Sequence, residues 1–541
     1  MSCRPLTFLF FFLSALMATL MVVAFFHGFP IEALEGTPFR LKSTRKLYEF
    51  SLLLFGLGVI FYPRRIEFLE LLKEKFENFA SLPYAIWILT TFYFLCFLWL
   101  QITRYFSLEI NFVPFLFYDY MLWFFNQGKF CYTGFLHGYY HVNLILLLLY
   151  PFWKVFQTSW LLHTAQPLIA VLAAVPLYCW AKERLQSSLL GLLSAFIYLN
   201  FRYLQNVLSV NFAVEIFYPL FIFSAVYFAF KKREIFYYLS ILLGLLIKED
   251  SAIYFGGLGL FFLFTSHHRA RGLFTILLSL AYLFFVLKIF LPWSGSTILN
   301  GDLGNYKSHG SDLKEIGKNI LLKPWLFVER LFVPIEKTRT LYKLISKLLF
   351  LPLFSPWIFL MIIAVYPLFF RAVPGDQFVE LALFYAAAVL PFLFLAFVDG
   401  WRWLRQRKFY FHVPFLKWGI VVLLIFVNGF NLQPFHFTRE DLKTISLAKG
   451  LPRESIVVTQ GHLLPYLGYR QWNFYLADHY GKNPATEKAY AHPDYYLFDF
   501  EANPYPLSRE ELQKRADLLK SHSKFKIVYE DERRLLLHRK K

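Results

Sequence analysis

Cysteine and charge are both scarce in this chain of 541 residues. Charged residues make up only 17% of it. The sequence also lacks a Walker phosphate loop, a dinucleotide-binding glycine fingerprint after a strand, a zinc signature and a nucleophile elbow, which argues against soluble nucleotide chemistry. The cysteines are too far apart to predict a disulfide framework or a Cys-x-x-Cys motif. They are Cys3, Cys96, Cys131 and Cys179.

What the chain has in abundance is apolar surface. Hydrophobic residues make up 57%, aromatic residues 21% with 67 Phe, and the mean hydropathy is +0.47. Soluble domains do not have this composition. Apolar stretches of about 20 residues, the length needed to cross a bilayer, recur along the chain and predict a polytopic α-helical membrane protein with roughly ten to twelve transmembrane helices. The first, Leu6 to Phe26, is typical of a retained signal-anchor helix.

The net charge of +19 has its origin in short turns between apolar segments. Lys182 with Arg184, residues 231–233, and Arg269 with Arg271 are such turns, and the positive-inside rule assigns them to the cytoplasm. We therefore interpret the charge as membrane topology and expect no nucleic-acid partner. The expected location is the inner membrane of a cell, crossed many times.

Three regions are predicted. Beyond residue 430 the hydropathy falls, and short β-like runs alternate with a helical pattern, which predicts a small α/β domain. The regions are an N-terminal pair of helices with an amphipathic linker (1–81), a membrane core with extracytoplasmic loops at 101–143 and 293–347 (82–430), and the extramembrane α/β domain (431–541). The expected strands and helix of that domain are Ser455 to Thr459, Tyr495 to Phe500, Phe525 to Tyr529, Arg534 to His538, and Arg509 to Ser521.

The loop 101–143 is a polar island between apolar segments, and it holds the first candidates for chemistry. Asp119 stands in an aromatic run, where a lone carboxylate is costly to desolvate. It is interpreted either as a helix cap or ion-pair partner of Arg104 or Lys129, or as a general base or metal ligand. Glu109 lies in the same island.

His137 and His141 are four residues apart in this island. If the segment is helical, both imidazoles share one face and can grip a metal or a phosphate. The alternative is polar packing at the membrane boundary.

Further polar residues interrupt the membrane core. Lys248, Glu249 and Asp250 stand together between two apolar helices, either as a solvated turn or as an interface site where the lysine pairs with a lipid phosphate. Glu215, near the start of a span, is either a site carboxylate or an ion-pair partner. The basic, tryptophan-rich segment Asp399 to His412 indicates an interface anchor or recognition of an anionic lipid head group.

The order of these motifs resembles the bacterial and archaeal membrane family called domain of unknown function 2079. The resemblance rests on the run 118–123 with its Asp119, the two histidines, Glu215, and above all residues 248–250, and it extends through the tail to residues 494–499. Many relatives carry a second Asp shortly before the position of Asp119, where this chain has Val113 and Pro114. Glu109 is a substitute for that acid.

That family is similar in layout to the GT-C membrane glycosyltransferases, which take a sugar from a polyprenyl-phosphate carrier on the extracytoplasmic face. The resemblance implies that Asp119, with Glu109, is the catalytic acid or base, and that Lys248 contacts the carrier phosphate. It implies substrate-binding roles for the other polar residues, a polyprenyl-phosphate-sugar donor and membrane lipid as partners, and an envelope acceptor. The substrate-binding set is His137, His141, Glu215, Lys248, Glu249 and Asp250.

Two alternatives stay open at the level of sequence. Cofactors are undetermined, and the carboxylates are also suited to bind a divalent metal. The rival function is a non-enzymatic transporter or an assembly factor for envelope glycolipids, because ionisable residues in membranes serve transport as well. The chain shows no internal repeat of the kind common in transporters.

Overall fold

A computed structural model gives the fold. It describes residues 4–27, 44–109, 112–126, 128, 141–210, 212–265, 269–294, 315, 318–319, 322–371, 379–407, 414–430, 432–468, 473–475, 493–504 and 507–540.

The membrane part is built from apolar α-helices that pack on one another. The first group runs from the N-terminus to the second helix after the polar island. It comprises α1 Arg4–His27, α2 Thr44–Phe61, α3 Arg65–Ser81, α4 Ala85–Phe106, α5 Phe112–Asn126, α6 Tyr150–Phe156 and α7 Trp160–Leu185. The second group comprises α8 Ser188–Asn200, α9 Arg202–Ser209, α10 Phe217–Phe230, α11 Glu234–Leu245, α12 Ser251–Thr265, α13 Arg269–Phe285 and α14 Leu291–Ser294. The third comprises α15 Pro324–Phe332, α16 Ile335–Ser346, α17 Ile358–Arg371, α18 Leu390–Arg405 and α19 Pro414–Val427.

These helices confirm a polytopic helical membrane protein. Four described helices have the length and composition to cross a membrane: Thr7–Phe26, Ala85–Phe106, Trp160–Leu185 and Arg269–Ser294. Five shorter apolar helices have 10–17 residues. The core is formed by α7, α10 and α18, where large side chains such as Tyr218 and Trp401 are fully buried. The count of ten to twelve spans stays a prediction.

Prolines shift two predicted spans. Hydropathy predicts one span from Phe378 to Phe397, but residues 379–389 form turns and the helix begins only at Leu390. Pro391 lies in the first turn of α18, a position that suits its fixed backbone angle and missing N–H. The apolar stretch from Leu348 is likewise broken into a 3-10 turn and α17, as its prolines predict.

The tail folds as the expected small α/β unit. Its helices are α20 Arg439–Gly450 and α21 Arg509–Ser521, and each begins with a capping box. The strands are β1 Val457–Thr459, β2 Asn473–Tyr475, β3 Tyr495–Asp499, β4 Phe525–Glu530 and β5 Arg534–Arg539. In the order β2-β1-β3-β5-β4, β1 is parallel to both of its neighbours, whereas β5 is antiparallel to β3 and β4.

Three hydrogen bonds fix this unit against the polar-island end of the helices. The backbone N–H of Phe435 donates to Thr103 Oγ1 (3.1 Å). The Tyr466 hydroxyl donates to the Tyr105 carbonyl. The Tyr120 hydroxyl donates to the Gly468 carbonyl (3.3 Å). The α/β unit and the polar island therefore lie at the same end of the helical core.

Candidate functional site

Three chain segments meet at the polar-island end of the core. They are residues 141–143, the 3-10 turn Val214–Ile216 before α10, and the link 246–250 between α11 and α12. Two hydrogen bonds to backbone carbonyls of the link join it to the chain at residues 143–145: the Ile145 backbone N–H donates to the Leu246 carbonyl (2.8 Å), and the Asn143 side-chain Nδ2 donates to the Ile247 carbonyl (3.1 Å). These bonds hold the link as an ordered strap instead of a solvated turn.

Lys248 forms an ion pair with Glu215. Glu215 lies just before α10 and Lys248 just after α11, and these two helices are adjacent. The Nζ to Oε1 distance is 2.9 Å, and the two side chains are only 12% and 7% exposed. The backbone of Lys248 is also fixed, since its N–H donates to Ser251 Oγ (3.1 Å) and its carbonyl accepts from the Tyr282 hydroxyl (3.3 Å). Glu215 is thus an ion-pair partner, one of the two interpretations of its sequence position.

The side chain of Glu249 contacts two residues of the polar island. Its Oε1 lies 2.5 Å from His141 Nδ1, and its Oε2 accepts from the backbone N–H of Val142 (3.1 Å). Both carboxylate oxygens are therefore used, which is how a buried carboxylate offsets its loss of hydration. The pair joins two segments that are more than one hundred residues apart in sequence.

Asp250 is held by two tyrosines. The Tyr218 hydroxyl donates to Oδ1 (2.5 Å), and the Tyr254 hydroxyl donates to Oδ2 (3.2 Å). The two rings meet edge to face with centroids 5.0 Å apart. Three consecutive charged residues thus have three separate sets of partners, and the solvated-turn interpretation of this triplet is wrong.

Asp119 lies on α5, and its neighbour in sequence faces this cluster. It is 4% exposed. The preceding residue, Tyr118, packs edge to face on Phe212 at 5.6 Å and lies within electrostatic range of Glu215, Lys248 and Glu249. Asp119 itself lies within electrostatic range of Tyr105 on α4.

Arg104 contacts the backbone of Glu109 and the ring of Phe435. Glu109 is exposed, and its carbonyl accepts from Arg104 Nε (3.0 Å). The Arg104 guanidinium also lies 4.7 Å above the Phe435 ring. The pairing of Arg104 with Asp119 stays a prediction. Lys129, the other expected partner, lies outside the described residues.

The histidine pair is only half described. His141 lies in irregular backbone just before the 3-10 turn Leu144–Leu148, so no helix presents it. His137 lies outside the described residues. Its predicted role stays a prediction.

A family model supplies the identification. The family described as predicted membrane protein, DUF2079, matches residues 104–536. The chain belongs to this family. All eight predicted site residues of this DUF2079 protein, from Glu109 to Asp250, fall within the matched region.

The DUF2079 protein is also similar to solved structures. Crystal structures of ArnT from Cupriavidus metallidurans match it in two states. The form bound to undecaprenyl phosphate is 12% identical, with 84% of this chain and 98% of that chain covered and a TM-score of 0.38. The apo form is 11% identical, with 81% and 95% covered and a TM-score of 0.36. Comparison with curated proteins gave no match.

The described residues do not form a metal centre. Within them, no group of three His, Cys, Asp or Glu side chains is arranged to hold a metal ion. Glu249 and His141 bind each other, and Asp250 is held by tyrosine hydroxyls. Glu249 and Asp250 are thus bound to other side chains, and a metal role for Asp119 or for His137, which lies outside the described residues, stays a prediction.

Sequence reasoning missed the tyrosines of this site. Tyr254 lies four residues after Asp250, the spacing that puts two side chains on one helix face, and this signal was readable. Tyr218 is three residues after Glu215. Tyr282 carried no local signal, because it reaches the cluster from α13.

Proposed function

We propose that this DUF2079 protein is a glycosyltransferase-like protein of the inner membrane that moves a sugar from a polyprenyl-phosphate carrier to an envelope acceptor. The observation that carries the proposal is the buried Lys248–Glu215 pair and its unused hydrogen-bonding capacity. An ammonium has three N–H donors, and within the described residues Glu215 is the acceptor for one of them. Oε2 of Glu215 also has no partner there.

Unused donors on a buried cation suit a phosphate group. Two N–H donors of Lys248 remain for phosphate oxygens, and hydrogen bonds between charged groups are stronger than neutral ones. Because Glu215 and the backbone contacts orient the ammonium in advance, little reorganisation accompanies binding. We therefore propose Lys248 as the group that stabilises the departing polyprenyl phosphate.

The proposed reaction assigns the base to the neighbouring helix. Asp119, with Glu109, takes the proton of the acceptor hydroxyl, whose oxygen forms the new bond to the anomeric carbon. The bond from that carbon to the phosphate oxygen breaks, and the electron pair leaves with the polyprenyl phosphate beside Lys248. Glu215, Glu249, Asp250 and the histidines orient donor and acceptor.

Charge distribution supports an extracytoplasmic face for this site. Glu215 precedes α10, whereas the basic run at residues 231–233 follows it. Positive residues collect on the cytoplasmic side, so the proposed site faces away from the cytoplasm. The α/β unit is held at that same end by Tyr466, and we propose the division 1–81, 82–430 and 431–541 as the domains.

Transfer activity tests the proposal. Purified protein in vesicles is given a polyprenyl-phosphate-linked radiolabelled sugar and an envelope lipid extract, and released polyprenyl phosphate is measured. Asp119→Asn is expected to lower the rate by at least ~100-fold, the usual contribution of a general base. Asp517→Asn, an exposed carboxylate on α21, is the matched control and should act as wild type. Full activity in Asp119→Asn would overturn the assignment.

A further inference from the structure

A cavity lies at the opposite end of the core from the proposed site. It has a volume of about 390 Å³, within the ~300–1,000 Å³ typical of ligand pockets. It is formed where α7, α10 and α18 end. Its lining residues are Glu183, Arg184, Leu185, Gln186, Phe230, Arg402, Arg405 and Gln406. Helix α10 alone, with its 14 residues, separates this cavity from Glu215 by about 21 Å at 1.5 Å per residue.

The cavity carries a positive charge that its own carboxylates do not neutralise. Arg184 Nε donates to Asp399 Oδ1 (2.8 Å), so that guanidinium is paired. Glu183 is paired with Lys231. Within the described part of the chain, Arg402 and Arg405 have no carboxylate partner. Two uncompensated arginines therefore line one cavity.

Arg405 caps a helix, whereas Arg402 does not. Arg405 Nη1 donates to the Leu185 carbonyl, the role expected of a cation at a helix C-terminus. The half-buried Arg402 guanidinium has no hydrogen bond, ion pair or ring contact with any described residue, although it lines the cavity. Polar groups held in protein interiors normally have partners, and an arginine without one is suited to a ligand from outside.

The wall of the cavity points to a lipid-like or phosphate-bearing ligand. Phe230, on the rim, is 46% exposed and adds an apolar surface beside the arginines. Guanidinium groups match phosphate oxygens in geometry as well as charge. The nearby basic residues Lys231 and Arg233 mark this end as the one that meets anionic head groups on the cytoplasmic side.

We propose that this cavity binds a phosphate-bearing anion on the cytoplasmic face through Arg402 and Arg405, independently of the transfer site. The same chemistry is offered by a lipid phosphodiester and by free phosphate. Each source predicts binding that depends on the Arg402 guanidinium.

The test compares Arg402→Gln with Arg407→Gln in the full-length protein. Arg407 is the matched control, because it lies just beyond the same helix, stacks 4.1 Å over the Trp403 ring, and is not part of the cavity. Lipid binding is measured by native mass spectrometry from nanodiscs of phosphatidylcholine mixed equally with phosphatidylglycerol. Free-phosphate binding is measured by titrating inorganic phosphate into protein in pure phosphatidylcholine nanodiscs.

We expect Arg402→Gln to weaken binding in one arm by about tenfold, the loss typical of one charged hydrogen bond, while Arg407→Gln changes it less than twofold. The arm that responds identifies the source. Gln406→Glu, which adds a negative charge to the cavity without removing a partner, should weaken the same arm. Wild-type binding by Arg402→Gln in both arms, or equal losses in Arg402→Gln and Arg407→Gln, would overturn the proposal.

Discussion

Removing the charge of Lys248 should cost more stability than removing the charges of Lys248 and Glu215 together. The two charged atoms are 2.9 Å apart, and the side chains are 12% and 7% exposed. At an effective dielectric constant of about 20, their gross attraction is about 6 kcal/mol. Lys248→Met leaves Glu215 buried without its partner, and breaking a buried pair in this way costs about 3–5 kcal/mol.

The double variant Lys248→Met with Glu215→Gln removes both charges, so it avoids the isolated carboxylate. Replacing a whole buried pair with uncharged residues is often close to neutral. We therefore expect the double variant to lie near the wild type and the single variant well below it. The exposed pair Lys520 and Glu530 is the control, because ion pairs between exposed side chains contribute little to stability.

Thermal unfolding of the full-length protein in detergent, followed by tryptophan fluorescence, measures all four states of each cycle. We predict strong positive coupling between Lys248 and Glu215 and almost none between Lys520 and Glu530. If the double variant is as unstable as the sum of the two single variants, the pair makes no net contribution. The assignment of a buried, coupled ion pair is then refuted.

Two further predictions concern packing and pH. Gly400→Ala should lower the unfolding temperature, because the added Cβ would lie 1.9 Å from the Leu351 carbonyl oxygen. Gly419→Ala is the control and should leave the unfolding temperature unchanged, because a Cβ there meets open space. Equal effects of the two substitutions would contradict this prediction. Burial lowers the pKa of His462 to about 4, against about 6.5 when unfolded. The unfolded chain therefore binds the extra proton, and stability should fall by about 1.4 kcal/mol per unit as pH drops from 6.5 to 4. Urea titrations at several pH values measure how the free energy of unfolding depends on pH. His462→Gln should make that dependence weaker. The same pH dependence in His462→Gln and in the wild type would contradict the prediction.

Local signals predicted the fold best where they were chemically specific. The amphipathic pattern predicts helix α21 at Arg509–Ser521, and the structure has those bounds, with a capping box of Ser508 and Glu511 at its start. The strand β2, only three residues long, was missed because so short a run has no readable alternation. The late start of α18 was missed because Pro391 was treated as part of an apolar span, when proline instead favours a helix beginning.

The sequence predicted which residues form the candidate site but not which of them contact each other. Composition alone indicated that Lys248 and its neighbours were costly to bury and needed partners. Their partners come from distant segments: Glu215 is 33 residues away and His141 is 108 residues from Glu249. Such contacts depend on how helices pack, and no local pattern encodes them.

Binding of polyprenyl phosphate to the purified full-length protein tests the central claim most directly. Native mass spectrometry compares the wild type with Lys248→Met/Glu215→Gln, which is expected to stay folded, and with Arg402→Gln, which alters only the cavity at the other end. The account predicts specific binding that the double variant weakens at least ~10-fold, the loss of one or more charged hydrogen bonds, and that Arg402→Gln leaves unchanged. Binding by the double variant as strong as by wild type, or binding no stronger than that of ordinary phospholipids, would contradict a carrier-phosphate site at Lys248.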